Sequence, residues 1–442
     1  MGRRVARGPR IVAHTLSYPP ARRIGAELAT HALLAHLADQ GWRAVVIPGQ
    51  HPNVHPYVTD DVLVAPSLLA SGVQADVVLA HVPLHGASRR MADRSGAPLV
   101  MTAHGGPPGW IAQQARGADP NLLIVNSATM HLSAQRTGLP LLTVRPPVWP
   151  EDHSIGHDPD GACVTIVNAR ADKGGGIVAE LARRMPNTPF LVVEGGHGDT
   201  APALHSRSNV TIVPHASVSM RWVWEHTRVL LMPSLEESWG MVAVEAMHSG
   251  IPVIGSIAPG LSECLGTLPR IERTHLSEWE DALRSAYDDS WEDLHIASLR
   301  RGIELHPATD LSDATAALGA LIGRAAPMGD TFRNLRTGKT AVAAPGTRMH
   351  ARLSAMPLVW QHVSGADTPP APESGAAPAP GDVLGTAPGS APSDGIGVPT
   401  PPKRPAQAAP KSEWVEYAVS RGSDRSAALA ASKSVLVALY GA

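Results

Sequence analysis

From residue 10 to about residue 325, short apolar runs of strand length alternate with longer stretches of helical period, and no other feature restricts the fold as much. A chain written this way builds βαβ units, in which helices cover both faces of a parallel sheet. Candidate strands in the first half are Arg10 to Ala13, Ala44 to Ile47, Val77 to Ala80, Leu99 to Thr102 and Leu122 to Val125. In the second half they are Val164 to Val167, Phe190 to Val193, Val210 to Val213, Val229 to Met232 and Val253 to Gly255. Between strands, Ala26 to Gln40 keeps Leu28, Ala32, Leu33, Ala35 and Leu37 near a 3.6 period, as an amphipathic helix does. Pro146, Pro147, Pro150 and Pro159 crowd the junction of the halves, which puts a hinge there. The expected class is α/β, with two doubly wound Rossmann-like domains, residues 1–148 and 149–326, facing each other across a cleft.

Composition changes after the helix expected at Leu311 to Arg324. Residues 367–410 are dominated by Pro, Ala, Gly and Ser, too poor in large apolar side chains to offset backbone ordering, and are expected to be a disordered linker. A small appended module precedes it at 327–366, and a small helical tail follows at 411–442. The tail's Trp414, Val415, Tyr417, Leu429, Val435, Leu436, Leu439 and Tyr440 suffice for a miniature of two or three helices. Trp360, Trp414 and Tyr417 are expected in a miniature core or against a partner. Truncation at about residue 326 is expected to leave a folded catalytic body.

With 37 basic and 39 acidic residues the net charge is -2, so no global field draws a polyanion and nucleic acid is not an expected partner. Cys163 and Cys264 are the only cysteines, which excludes a disulfide framework. No apolar run reaches the ~18 residues of a membrane span. Arg3, Arg4, Arg7 and Arg10 lead straight into the short segment Ile11 to Ala13 and not into a signal-peptide core. A cytoplasmic protein is expected.

The segment most informative about chemistry is Pro233-Ser234-Leu235-Glu236-Glu237-Ser238-Trp239-Gly240-Met241-Val242-Ala243-Val244-Glu245-Ala246-Met247, followed by Gly250-Ile251-Pro252-Val253. It leaves a strand, turns at Gly240 and continues as a helix, so Glu237 lies on the loop and Glu245 about two turns inside. Carboxylates at such a crevice accept strong hydrogen bonds from vicinal hydroxyls, and the adjacent helix N-terminus offers N–H groups to a diphosphate.

This pattern, Glu237-x7-Glu245 in its flanking sequence, resembles the signature of family 4 retaining glycosyltransferases of GT-B fold, over about residues 10 to 325. The resemblance implies a nucleotide-sugar donor, no resident cofactor and no metal. It gives Glu237 to the donor sugar and Glu245 to the ribose hydroxyls. Pro259-Gly260-Leu261-Ser262-Glu263 is similar to the family's Gly-Gly-Leu-Pro-Glu turn, so Gly260 and Leu261 would bring backbone amides to the phosphates, although Pro259 replaces the first Gly. Asn168-Ala169-Arg170-Ala171-Asp172-Lys173-Gly174 resembles the loop that supplies cations to the leaving diphosphate. Lys173 keeps the family's Lys; Asn168 stands at the family's Arg, so either Arg170 substitutes or one cation is missing. Ser17-Tyr18-Pro19-Pro20 with Ile24-Gly25-Ala26-Glu27 resembles the loop that opens the first helix under the donor phosphates, with Gly25 at its start, and Thr102-Ala103-His104 the strand end whose His lies beside the donor sugar.

Three other features are set aside. Asp158-Pro159-Asp160 reads as a D-x-D metal motif but follows no strand, Pro83 breaks the helix that would align His81 with His85, and Cys264 is expected to be an inert buried thiol. Phe332 to Lys339 with Arg348 to Trp360, and Lys411 to Ala442, resemble short modules in proteins of actinobacterial phages. That resemblance implies a phage-encoded enzyme of the host cytoplasm, associated with the virion, with a virion protein as a candidate acceptor or tether. The expected activity is glycosyl transfer with retention to an unidentified acceptor. The alternatives are an inactive GT-B binding module and another GT-B activity, an epimerase or a phosphorylase.

Overall fold

The computed structural model describes residues 8–20, 24–49, 55–65, 73–106, 108–195, 198–214, 217–288, 290–325, 328–363, 403–421, 423 and 425–441. All ten candidate runs are strands. The first sheet contains β1 (Arg10–Thr15), β2 (Arg43–Pro48), β3 (Tyr57–Thr59), β4 (Val62–Val64), β5 (Val77–His81), β6 (Leu99–Ala103), β7 (Leu122–Val125) and β8 (Leu141–Thr143), in the order β3-β4-β2-β1-β5-β6-β7-β8. Every pairing is parallel except the β3–β4 hairpin. The second sheet, wholly parallel, contains β9 (Cys163–Val167), β10 (Phe190–Val193), β11 (Val210–Val213), β12 (Thr227–Met232), β13 (Val253–Ser256) and β14 (Arg270–Ile271), in the order β11-β10-β9-β12-β13-β14.

The central strands are buried on both faces, which is why they read as continuous apolar runs with no alternation. Strand order reverses at β1/β5 in the first sheet and at β9/β12 in the second. In open α/β sheets ligands bind at such reversals, outside the carboxyl ends of the strands.

The chain crosses between the two bodies twice. Val144 lies in the first core and Val148 in the second; Leu305 is in the second core and Leu311 back in the first. The helix Ala308–Leu321 therefore corrects the expected boundary at 326. Its Leu311, Ala314 and Leu318 are buried with Leu33, Leu34 and Leu37 of the helix Gly25–Asp39, in the first domain.

The appended module is a three-stranded antiparallel sheet of β15 (Asp330–Asn334), β16 (Thr340–Ala343) and β17 (Trp360–Val363), ordered β16-β15-β17, with the helix Arg348–Ser354. The tail forms three helices, Lys411–Ser420, Arg425–Ala430 and Lys433–Tyr440. Neither piece stands alone. The tail buries Trp414, Val415, Leu436 and Val437 with Ile296 of the helix Trp291–Glu304. The module buries Phe332, Met349 and Trp360 with Ala308. Trp360 and Trp414 are thus core residues and not partner contacts.

The expected linker at 367–410 lies outside the described residues up to 402. Its last part is packed: Trp414 Nε1 donates to Ala406 O at 3.2 Å, and Gln407 donates to Asp293 at 2.8 Å. Among the described residues no helix is long and apolar enough to cross a membrane.

Candidate active site

The loop after β9 and the loop after β12 meet at the second sheet's reversal. Leu235 N donates to Asp172 O at 2.7 Å, and a Cβ on Gly174 would overlap Pro233, so only glycine lets the two backbones close up. This contact puts Lys173 Nζ 2.5 Å from Glu237 Oε1, with both side chains partly buried. Ser234 Oγ donates to the same carboxylate oxygen at 3.1 Å. Arg273 clamps the two loops, donating to Pro233 O at 2.8 Å and to Ala171 O at 2.5 Å.

Gly240 caps the helix Met241–His248 in a left-handed conformation, φ 115°. Gly240 has no side chain with which to cap this N-terminus, so it leaves the first amides of the helix untaken. Glu245 is 7% exposed, and its Oε2 accepts no hydrogen bond among the described residues. Burial pushes its carboxyl up to about 8, so it carries a proton at neutral pH. His153, on the short hinge helix Pro150–His153, lies 3.6 Å from it.

Gly260 packs the helix Pro259–Leu265 against the Glu237 loop, where a Cβ would overlap Glu237 O and the Ser238 carbonyl. The Leu261 side chain is fully buried beneath Gly240 and belongs to the core. Arg170 does not join Lys173. It forks onto Asp172, at 2.9 and 2.5 Å, and stands against Gly198 beside a hollow of about 500 Å³ lined by Glu194, Asp199, Thr200 and His205. Asn168, at φ 63°, buries an Oδ1 that has no partner among the described residues.

The first domain closes over this site. Gly25, at the start of the helix Gly25–Asp39, faces Met241 Sδ across the cleft. His104 offers its carbonyl to Ser238 Oγ at 2.7 Å, and Asn126 Nδ2 donates to Ser238 Oγ at 3.0 Å. The His104 ring lies near Thr30, at 3.4 Å, and edge-on to His81. Burial, aided by His81, holds its pKa down to about 3, so it stays a neutral imidazole. It borders a cavity of about 20 Å³ with Thr30, Thr102, Pro146 and Pro147, room for about one water. Glu27 is 1% exposed and accepts from Ser17 Oγ at 3.0 Å.

Sequence reasoning missed the residues that join the domains. Glu263 takes the Ala128 amide at 2.8 Å and the Thr129 amide at 2.9 Å, capping a first-domain helix from the second domain. Ser238 and Asn126 were legible only as small polar residues. Of the features set aside, Asp158 accepts from Ser432 at 3.0 Å and so holds the tail, while Cys264 is buried and its thiol is pushed up to about 12. Among the described residues no cluster of three His, Cys, Asp or Glu could hold a metal.

Residues 177–289 match the protein-family model described as Glycosyl transferases group 1. A D-inositol 3-phosphate glycosyltransferase of Paenarthrobacter aurescens (strain TC1) is 42% identical over 64 residues, 14% of this chain and 16% of the relative. One from Rhodococcus erythropolis (strain PR4 / NBRC 100887) is 31% identical over 155 residues, 30% of this chain and 35% of the relative. The chain thus matches well under half the length of these curated relatives. Among solved structures, a sucrose-phosphate synthase from Thermosynechococcus elongatus superposes with a TM-score of 0.58 at 15% identity, over 71% of this chain and 98% of that one. The Anabaena protein HepE in complex with UDP and glucose gives 0.56 at 14%, over 71% and 100%. At these identities the likeness is one of fold, and the fold is GT-B: two Rossmann-like domains with the cleft between them.

Proposed function

We propose that the chain transfers a glycosyl group from a nucleotide sugar to an acceptor hydroxyl with retention of anomeric configuration. The observation that carries this reading is the Lys173–Glu237 pair, 2.5 Å apart where strand order reverses, beside the uncapped helix at Gly240. In the transfer the bond from the anomeric carbon to the diphosphate oxygen breaks and one to the acceptor oxygen forms. The acceptor's proton passes to an oxygen of the leaving diphosphate.

Lys173 and the amides at Gly240 neutralise the charge that builds on that diphosphate. Glu237 takes hydroxyls of the transferred sugar, with the neutral His104 ring on its other side. Glu245, protonated, has one O–H to give and oxygens to receive the ribose diol. Gly25, Gly260 and the Leu261 backbone line the phosphate path. Arg170, already paired with Asp172, borders the hollow beyond β10 and serves the nucleotide rather than the leaving group. The test is incubation with a panel of nucleotide sugars, UDP-sugars first, with and without candidate acceptors and with EDTA. Release of nucleoside diphosphate that depends on acceptor and ignores EDTA, with a retained anomeric signal by NMR, is expected. A release that needs a divalent metal, or an inverted product, overturns the reading.

A second reading is favoured by one observation. Asn168 fills the family's cation position with a buried, neutral side chain, so a donor-binding module without turnover would keep nucleotide affinity and show no release.

A further inference from the structure

Where the chain crosses between the domains, the two passes meet ring edge to ring face. Trp149 lies on the outgoing pass and His306 on the return, with ring centroids 5.3 Å apart. A third ring, Trp360 of the appended sheet, packs on His306 at 5.1 Å. The His306 Nδ1 accepts the Ala308 amide at 3.3 Å, which puts the proton on Nε2, and neither that nitrogen nor Trp360 Nε1 has a hydrogen-bond partner among the described residues. The three rings therefore form an edge-to-face aromatic joint held by packing.

Arg352 secures the same joint from outside. Its guanidinium lies over the Trp149 ring at 4.4 Å and pairs with Glu151 at 3.0 Å and Asp152 at 3.3 Å, both on the hinge helix that carries His153 to Glu245. The module also grips each domain. The amide of Arg348, at the start of the module's helix, donates to Asp39 at 2.9 Å. Asp39 ends the helix Gly25–Asp39, where a carboxylate opposes the helix dipole; capping a second helix offsets that misplacement. On the other side Arg336 pairs with Glu304 at 2.9 Å.

We infer that the appended module is a brace across the interdomain hinge, and that Trp360 and Arg352 are positioning residues that set the angle at which the two domains meet. GT-B domains joined by two strands of chain would swing about the passes at Val144 to Val148 and Leu305 to Leu311. A module that locks both passes together and bonds to both domains removes that freedom. The cleft contacts Ser238–His104 and Glu263–Ala128 then persist without a ligand.

The test reads the far side of the molecule from the module and needs no nucleotide sugar, so it stands or falls separately from the donor reading. Hydrogen–deuterium exchange is resolved to the Ala128 and Thr129 amides, whose acceptor among the described residues is Glu263, in the full chain and in Arg352→Ala, Trp360→Ala, Trp360→Phe and Glu263→Ala. Glu263→Ala sets the rate of the unlatched cleft. Arg352→Ala and Trp360→Ala are expected to raise exchange at these two amides about tenfold toward that rate, and Trp360→Phe to return most of the protection. Core amides of β10 and β12 should not change. Wild-type rates at Ala128 and Thr129 in folded Arg352→Ala overturn the inference, and so does a rise that only follows the core amides. If Trp360→Ala does not fold, the double variant Glu151→Gln/Asp152→Asn tests the joint from the opposite side with the same two outcomes.

Discussion

Lys173 Nζ sits 2.5 Å from Glu237 Oε1, so the cation and the carboxylate that would serve opposite ends of a sugar diphosphate hold each other in place before a donor arrives. Each keeps the other's partly buried charge from being left unpaired. Lys173→Ala is expected to lower kcat by about 10²-fold, the size of losing one fixed transition-state donor. Glu237→Ala should slow transfer while leaving affinity for the nucleoside diphosphate nearly intact. Because the two are in contact, the double variant should lose less than the sum of the single losses, which a double-mutant cycle on kcat measures.

Glu245 gives a different readout. Its carboxyl titrates near 8 when folded against an ordinary 4.5, so between those values the unfolded chain releases a proton that the folded one keeps. This group's contribution is present below pH 4.5 and is lost as pH rises to about 8. Replacing it by Gln removes the group, so the stability of Glu245→Gln relative to wild type should grow across that window, by urea unfolding at a series of pH values. The same variant should weaken nucleotide binding, read by calorimetry.

Buried histidines act with the opposite sign. His14, His36, His81 and His248 are held down to about 4 and His104 to about 3, each chiefly by burial, against an ordinary 6.5. The stability tied to their neutral form is whole above pH 6.5 and drains as pH falls toward 4, where the unfolded chain takes up protons that the folded chain refuses. Melting temperature should therefore drop steeply from pH 6.5 to pH 4.5. His104→Asn should flatten part of that slope. A pH–rate limb near 6.5 that vanishes in the same variant would show a charged His104 and contradict the buried neutral ring.

Gly260→Ala is expected to fail for backbone reasons. The added methyl would fall on Glu237 O and the Ser238 carbonyl, so the loop carrying Glu237 must move, at a cost of about 2 kcal/mol or more. A variant with unchanged melting temperature and turnover would mean that the two backbones are not in contact.

Truncation after residue 326 would bare Ala308, Ile296 and the ring of Trp149. The packing therefore gives the appended pieces a share in stability that composition does not assign them. A chain ending there should melt lower by about 5 °C or more and be cut sooner by protease near the hinge.

The ten strand runs were legible because parallel strands buried on both faces leave continuous apolar segments. The hairpin β3–β4 and the edge strands β8 and β14, two to three residues long and partly exposed, leave no such signal. Periodicity marks an apolar face without saying which core receives it, and for that reason the helix at 308–321 was assigned to the wrong domain. At the candidate site, the Glu237-x7-Glu245 pattern and the resemblance of the Lys173 loop pointed to these three residues, since motifs store local order along the chain, and the structure puts Lys173 and Glu237 in contact. The Glu263 cap on Ala128 and the Asp172 partner that ties up Arg170 depend on how loops fold back in space, and single residues carry no mark of it.

The return helix Ala308–Leu321 also dictates an order of assembly. The core that contains Leu33, Leu34 and Leu37 lacks Leu311, Ala314 and Leu318 until nearly three hundred further residues have been synthesised. During synthesis the helix face carrying Leu33, Leu34 and Leu37 stays without these partners while the strands of the second domain, from Cys163 to Ile271, are all made. The core of the domain written first closes only after the strands of the second have all been made.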